Sequence, residues 1–417
     1  MSTTEIQSPE GGLPRDEGAE PRATLQSAAR EWWVGVRAGE LGSLPIIVGI
    51  IVIAVYFQAR NSQFLTAGNF VNLIAQAAAV IIIGMGIVFV LLLGEIDLSV
   101  GFVSGMGGVV AAVLLEPGSS QWATAPALVA AILTGTAIGA FQGFWFARIG
   151  VPSFVVTLAG LLAWNGVVLQ IIGSRGTIVI QDKVINGLAN DYMSHALAWA
   201  VLLVSVGVFA AQQVTTVFRR RQAGLPNRPW SLIVARIVFI AAAGIFVVEW
   251  ADSTNRGIPY VGLLMLVLYV VWTFVAERTK FGRYVYAVGG SSEAARRAGI
   301  NVTRIRIAVF AISGTMAAIG GIVLASRLSS VDTSTGGGSI LLYSIAAAVI
   351  GGTSLFGGRG SVKSAVLGGI VIGMVANGLG LLNVSVGTQY IVTGIVLLGA
   401  ATLDSLSRRR STASGRA

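Results

Sequence analysis

Residues 277–306 read ERTKFGRYVYAVGGSSEAARRAGINVTRIR. No other interruption in this otherwise apolar chain is as polar or as basic. Within it Glu293, Ala294, Ala295 and Gly299 form an E-A-A-x-x-x-G run. Gly289 and Gly290, just before it, have the backbone freedom for a tight turn into a short helix. Ala294, Ala295 and Ala298 would give that helix a flat face of small side chains, and Arg296 and Arg297, one turn past Ser292 and Glu293, would put charge beside it. One reading is a docking helix; the other is a solvated helix with no partner, since an Ala-rich segment needs none to be helical.

The surroundings of this stretch set the class. The 417 residues are 54% hydrophobic and 11% charged, with 54 glycines, whereas soluble domains carry about a quarter charged residues. The chain reads as an all-α polytopic membrane protein. Its formal charge of +10 is spread over short loops between apolar spans, which orientation in a bilayer explains better than nucleic-acid binding. The absence of cysteine excludes disulfides, thiolate nucleophiles and zinc–thiolate sites. A single histidine, His195, leaves no histidine metal centre or triad. Neither catalytic residues nor a metal site are expected.

Residues 1–42 are polar and open without a signal-peptide core. Their first half is too poor in apolar surface to order, and Arg22 to Glu40, with Trp32 and Trp33, can lie as an amphipathic helix at headgroup level or serve as an ordinary polar lead-in. The membrane domain covers 43–403, and a basic tail covers 404–417. A span needs about 20 apolar residues for about 30 Å of hydrocarbon. Twelve windows qualify, near 43–59, 73–93, 98–115, 123–147, 151–173, 196–215, 231–250, 258–276, 307–326, 340–357, 364–382 and 387–403. With alternating spans and a cytoplasmic N-terminus, 23 of the 28 Lys and Arg residues fall inside. Arg60, Arg175, Lys183, Arg256 and Arg327 fall outside, so both chain ends and the 277–306 loop are expected in the cytoplasm. Gly135, Gly139 and Gly143, like Gly101 and Gly105, have the spacing that lets helices approach closely.

Two glycine-rich breaks stand out. In LLLGEIDLSVG, 91–101, Glu95 and Asp97 sit inside about forty apolar residues. A carboxylate at mid-bilayer costs about 2.5–3.5 kcal/mol, so it should face protein, water or a partner charge. Gly94 and Gly101 would break the helix, with Asp97 or Ser99 capping a second half-helix beside a translocation path. The rival is a short cytoplasmic turn in which both acids are wet. In IGGTSLFGGRGSVKS, 350–364, Gly357, Gly358 and Arg359 lie in a stretch with five glycines, suited to a compact loop or re-entrant turn. Lys363 and Ser364 have the look of the end of a phosphate-binding loop, but Val362 stands where glycine is required. No nucleotide site is expected in this chain. Windows 80–114 and 341–375 share an outline, as internal repeats of transporters do, yet inverted repeats would put their breaks on opposite faces and this topology puts both on one.

LLLGEIDLSVG, TKFGRYVYAVGGSSEAARRAGI (279–300) and AAAVIGGTSLFGGRGSV (346–362) together resemble the permease subunits of bacterial ABC importers for ribose, xylose and related sugars. Glu95 departs from the second glycine expected of that pattern, and the extra region Phe218 to Glu277 resembles the longer, xylose-type branch. The resemblance implies a type II-like importer fold in the bacterial inner membrane, with two permease copies, cytoplasmic ATPase subunits that carry the ATP and magnesium, and an external sugar-binding protein. It makes Gly289, Gly290, Glu293, Ala294, Ala295, Arg296 and Gly299 the coupling helix on the ATPase. Glu95, Asp97, Ser99, Gly357, Gly358 and Arg359 become gate candidates. A sugar path needs weak hydroxyl partners and aromatic faces. The candidates are Asn72, Gln76, Gln142, Thr157, Trp164, Asn165, Asn377 and Gln389, each of which suits an interhelical hydrogen bond better than a sugar contact. Other readings remain open: an ion-coupled transporter using Glu95 and Asp97, or a permease for nucleosides or branched-chain amino acids.

Overall fold

The computed structural model describes residues 44–117, 121–224, 229–254 and 256–413. Its helices are α1 (Leu44–Arg60), α2 (Ala67–Leu92), α3 (Val100–Leu115), α4 (Thr124–Phe144), α5 (Ser153–Ile172), α6 (Lys183–Asn190), α7 (His195–Gln222), α8 (Trp230–Asp252) and α9 (Tyr260–Arg278). They continue as α10 (Lys280–Gly290), α11 (Ser292–Arg297), α12 (Val302–Leu328), α13 (Ile340–Ile350), α14 (Val362–Leu381) and α15 (Val386–Ala413). One short antiparallel pair joins β1 (Thr177–Val179) to β2 (Ser330–Asp332). The N-terminal segment 1–42 lies outside the described residues, as do the last four residues of the tail.

Each apolar window coincides with a helix, but the twelve differ in length. Among the described residues eight helices, α2, α4, α5, α7, α8, α9, α12 and α14, are long and apolar enough to cross a bilayer; α1, α3, α13 and Val386–Gly399 of α15 are shorter. The clearest departure is the 340–357 window. Its helix stops at Ile350, because Gly351 and Gly352 end it while Leu355 and Phe356 prolong the apolar run in sequence only. At the other extreme α2 starts at Ala67, six residues before its window, with Thr66 accepting the Asn69 N–H at 3.3 Å.

Helices α2 and α12 form the centre. From Ala77 to Leu92 every residue of α2 is buried, and α12, α14, α13 and α9 pack around it. Glycines permit this density. A Cβ on Gly139 would overlap the Phe310 carbonyl of α12, and one on Gly135 would lie 2.5 Å from the Gly314 carbonyl, so the stripe in α4 is a helix-to-helix seam. The Gly101 and Gly105 pair is different: those residues meet the main chain of Thr335 and Gly336, a non-helical segment. Helix α4 ends in a π turn, Trp145–Ile149, closed by Gly150 at φ +89°, which lengthens the turn by one residue per hydrogen bond and brings Phe146 into the core.

By their contacts the chain divides into two units. The smaller, within the described residues, comprises 204–224 and 229–243, the facing parts in sequence of α7 and α8. It buries Val217 and Ile233 and carries Arg219, Arg220 and Arg221 in the last turn of α7. All residues discussed below belong to the larger unit.

Candidate functional site

The 277–306 loop is two short helices. Thr279 caps α10 by accepting the Gly282 N–H at 3.1 Å. Ser291 caps α11 by accepting the Ala294 N–H at 3.2 Å, and Gly299 at φ +82° ends it. The turn therefore lies at Ser291, which corrects the expectation that Gly289 and Gly290 make it: both are helical. Gly289 is glycine for another reason, since a Cβ there would overlap the Leu92 carbonyl oxygen and lie 3.0 Å from the Gly358 nitrogen. On α11, Ala295 is buried while Glu293, Ala294, Arg296, Arg297 and Ala298 are exposed. Glu293 pairs with Arg297 at 3.2 Å and Arg296 at 3.6 Å.

The loop thus touches both breaks through main chain. Gly358 N–H donates to the Leu92 carbonyl at 2.9 Å. Gly357 and Gly358, at φ +84° and +72°, lie against Gly94, Gly289 and Gly290 so closely that a Cβ on Gly357 would stand 2.8 Å from the Gly289 carbonyl and 3.0 Å from the Gly94 nitrogen. Only residues without a side chain in a positive-φ conformation can meet this way. Tyr286 of α10 adds a hydrogen bond from its hydroxyl to the Gly360 carbonyl at 2.9 Å. Burial, aided by the Glu277 carboxylate, pushes its phenol above the usual value, so it stays a donor. Arg359 is exposed, and its carbonyl accepts the Ser354 N–H at 2.9 Å.

The first break is held by side chains. Helix α2 stops at Leu92, Gly94 turns at φ +76° and α3 begins at Val100. Asp97 is 3% exposed, so the solvated-turn alternative does not apply to it. Its Oδ1 accepts from the Ser99 N–H at 3.0 Å and the Ser99 hydroxyl at 2.6 Å, and its Oδ2 from the Ser313 hydroxyl of α12 at 2.9 Å. Asp97, rather than Ser99, supplies the capping oxygen. Ser99 Oγ also lies 2.8 Å from Gln142 Oε1, but one hydroxyl proton cannot serve two acceptors. The network balances when Gln142 turns its amide NH2 to Ser99, which also gives the otherwise unpartnered Nε2 a hydrogen bond. Glu95, two residues earlier, accepts the Ser153 hydroxyl at 2.6 Å and faces Arg306 at 3.8 Å.

The path candidates do not form one group. Gln142 and Thr157 lie beside the first break, Thr157 Oγ1 reaching the Ser153 and Ile96 carbonyls at 2.9 and 3.4 Å. Gln76 and Asn377 sit toward the opposite end of α2, where Asn377 exchanges hydrogen bonds with Asn69 at 2.8 and 2.9 Å and donates to Gln76 at 3.3 Å. Asn72 is exposed, Asn165 half-buried, and Gln389 donates locally to Val384 at 3.0 Å. Trp164 holds a buried Nε1 without a partner among the described residues. Ser153, Ser313 and Tyr286 were not singled out in the sequence, where a lone hydroxyl in an apolar run carries no signal. Arg306 stands in the sequence only as one charge of the basic loop.

Residues 69–401 match the family model described as branched-chain amino acid transport system / permease component. The chain belongs to this permease family. The permease is 37% identical over 382 residues to the xylose transport system permease protein of Escherichia coli (strain K12), covering 90% of this chain and 95% of that protein. It is 30% identical to the ribose import permease protein of the same organism, over 86% of this chain and 92% of that one, and 29% identical to its D-allose transport system permease protein, over 85% and 89%. No solved structure matches it. It is a multi-pass membrane transport subunit, not an enzyme.

Proposed function

We propose that this permease is the membrane subunit of an ATP-driven importer that takes a monosaccharide, a pentose such as xylose, from an external binding protein. Two copies, with both chain ends in the cytoplasm, would enclose the pathway. ATP and magnesium would sit on partner ATPases and no bond would be made or broken here. The observation that carries the reading is the junction of Gly94, Gly289 and Gly358, which puts α10, the helix that leads straight into the exposed α11, in close main-chain contact with both breaks. ATP-driven closure of the partner could then shift the permease between two states, provided the partner binds them with different free energy. Identity to sugar permeases along nearly the whole chain supports the substrate class. Helix α13, with 11 residues, rises about 16 Å, half the hydrocarbon depth, as a re-entrant or half-helix would.

A buried carboxylate at Asp97 is what an ion-coupled transporter would also need. Reconstitution separates the two. Uptake of labelled xylose into liposomes should require ATP, the co-purifying ATPase and the binding protein. Uptake by this chain alone, driven by a proton or sodium gradient, would refute the importer. Glu293→Lys should lower uptake about tenfold, the scale of a typical coupling energy, while hydrolysis continues.

A further inference from the structure

Between the exposed α11 helix and the buried Asp97 lies one charged contact that the main-chain junction does not explain. We infer that Arg306 is a positioning residue whose tie to Glu95 is slack in this conformation and closes in the alternate one, linking the loop to the first break; this rests on the ATP-driven reading above. Arg306 is the fifth residue of α12, the helix that follows the loop, and Glu95 directly follows the turn at Gly94. Their Nη2 and Oε1 atoms are 3.8 Å apart with side chains 25% and 20% exposed. That separation exceeds a hydrogen bond, yet partial burial leaves the attraction incompletely screened.

The two halves are held differently. Glu95 is fixed through its other oxygen by the Ser153 hydroxyl at 2.6 Å. The guanidinium is the movable half: its Nε is buried without a partner among the described residues, and its Cζ lies 4.7 Å above the Phe146 ring, a contact that sets no donor direction. Phe146 is presented by the π turn at the end of α4. A displacement of about 1 Å would bring the pair into hydrogen-bond range, where a forked guanidinium–carboxylate contact is strongest. A contact weak in one state and strong in the other couples the positions of the two segments.

The transporter purified through this chain with its ATPase, placed in liposomes with its binding protein and labelled xylose, tests the tie. Glu95→Gln and Arg306→Gln should each lower uptake per ATP hydrolysed about tenfold, with ATPase co-purification and basal hydrolysis retained. Arg306→Lys, which keeps the charge but not the fork, should fall between. The exchange Glu95→Arg with Arg306→Glu should recover most of the ratio. Uptake per ATP within about twofold of wild type in both Gln variants, well inside the range of real coupling energies, would overturn the tie. So would an equal loss of hydrolysis and complex yield, the mark of a merely structural pair. Absence of ATP-driven uptake in the wild type would overturn the importer reading itself, before any variant is made.

Discussion

Between Leu93 and Ser99 the chain turns around a carboxylate; between Gly351 and Ser361 it turns chiefly on glycines, with the Ser354 hydroxyl accepting the Phe356 N–H at 3.0 Å. The first break has one residue at positive φ, Gly94, and takes its shape from three donors converging on Asp97. The second has four glycines at positive φ, at 352, 357, 358 and 360, and its contacts with the rest of the site include a main-chain hydrogen bond to Leu92 and one from the Tyr286 hydroxyl. Both stand at the same end of the bundle, against α10. Two segments of similar outline thus solve one geometric problem by opposite means, one by hydrogen-bonded charge and one by conformational freedom. Each should fail to a different substitution.

The largest effect should come where the two meet. Gly289→Val would drive a side chain into the Leu92 carbonyl, main chain that cannot step aside, so about 3 kcal/mol or more of overpacking is expected, with loss of uptake and a lower melting temperature in detergent. Gly290→Ala, with nothing within 4 Å, should be silent; equal damage from both would dissolve the junction. Next is Asp97→Asn, which removes a charged acceptor worth about 1.5–3 kcal/mol per bond and should loosen the first break alone. Arg359→Gln in the second break should leave melting unchanged. Asn377→Leu should cost about 0.6–2 kcal/mol of stability, the range of interhelical hydrogen bonds, with the KM for sugar uptake unaltered; a raised KM would make it a path residue instead.

The smallest effect lies at the far side of α3. The Asp332 carboxylate is held below its usual range, foremost by the Ser334 hydroxyl at 2.7 Å, with the Ser334 N–H and Thr335 hydroxyl adding to it. A depressed folded pKa contributes stability that is present above the unfolded value of about 3.9 and lost as pH falls through the folded one. Melting curves from pH 7 downward should show a small decline beginning near pH 4, and Asp332→Asn should flatten it.

Hydrophobic runs made the helices readable, because burial in lipid or protein needs the same residues. Their ends were harder. Asn69 lies before the apolar window that begins near 73, yet it is within α2, where Asn377, over 300 residues away, meets its hydrogen-bonding needs. Leu355 and Phe356 look like helix, yet they follow two glycines that have already ended it. The acids and glycines of the site were visible as exceptions to an apolar background. Their meeting was not, since a contact among the main chains of residues 92, 289 and 358 leaves no pairing of side-chain types. Glu95 was legible as a departure from the family's glycine, but its partners Ser153 and Arg306 were ordinary residues until brought beside it.

The glycine junction also has a bearing on how such a subunit can change. Where Gly289 meets Gly357 and Gly358 there is no side chain to vary, so substitution has almost nothing to act on there. The exposed face of α11, one turn away, is free of that constraint. On the docking role proposed for α11, a permease built this way would adapt to a new ATPase by altering Glu293, Ala294 or Arg297 while the junction stays as it is.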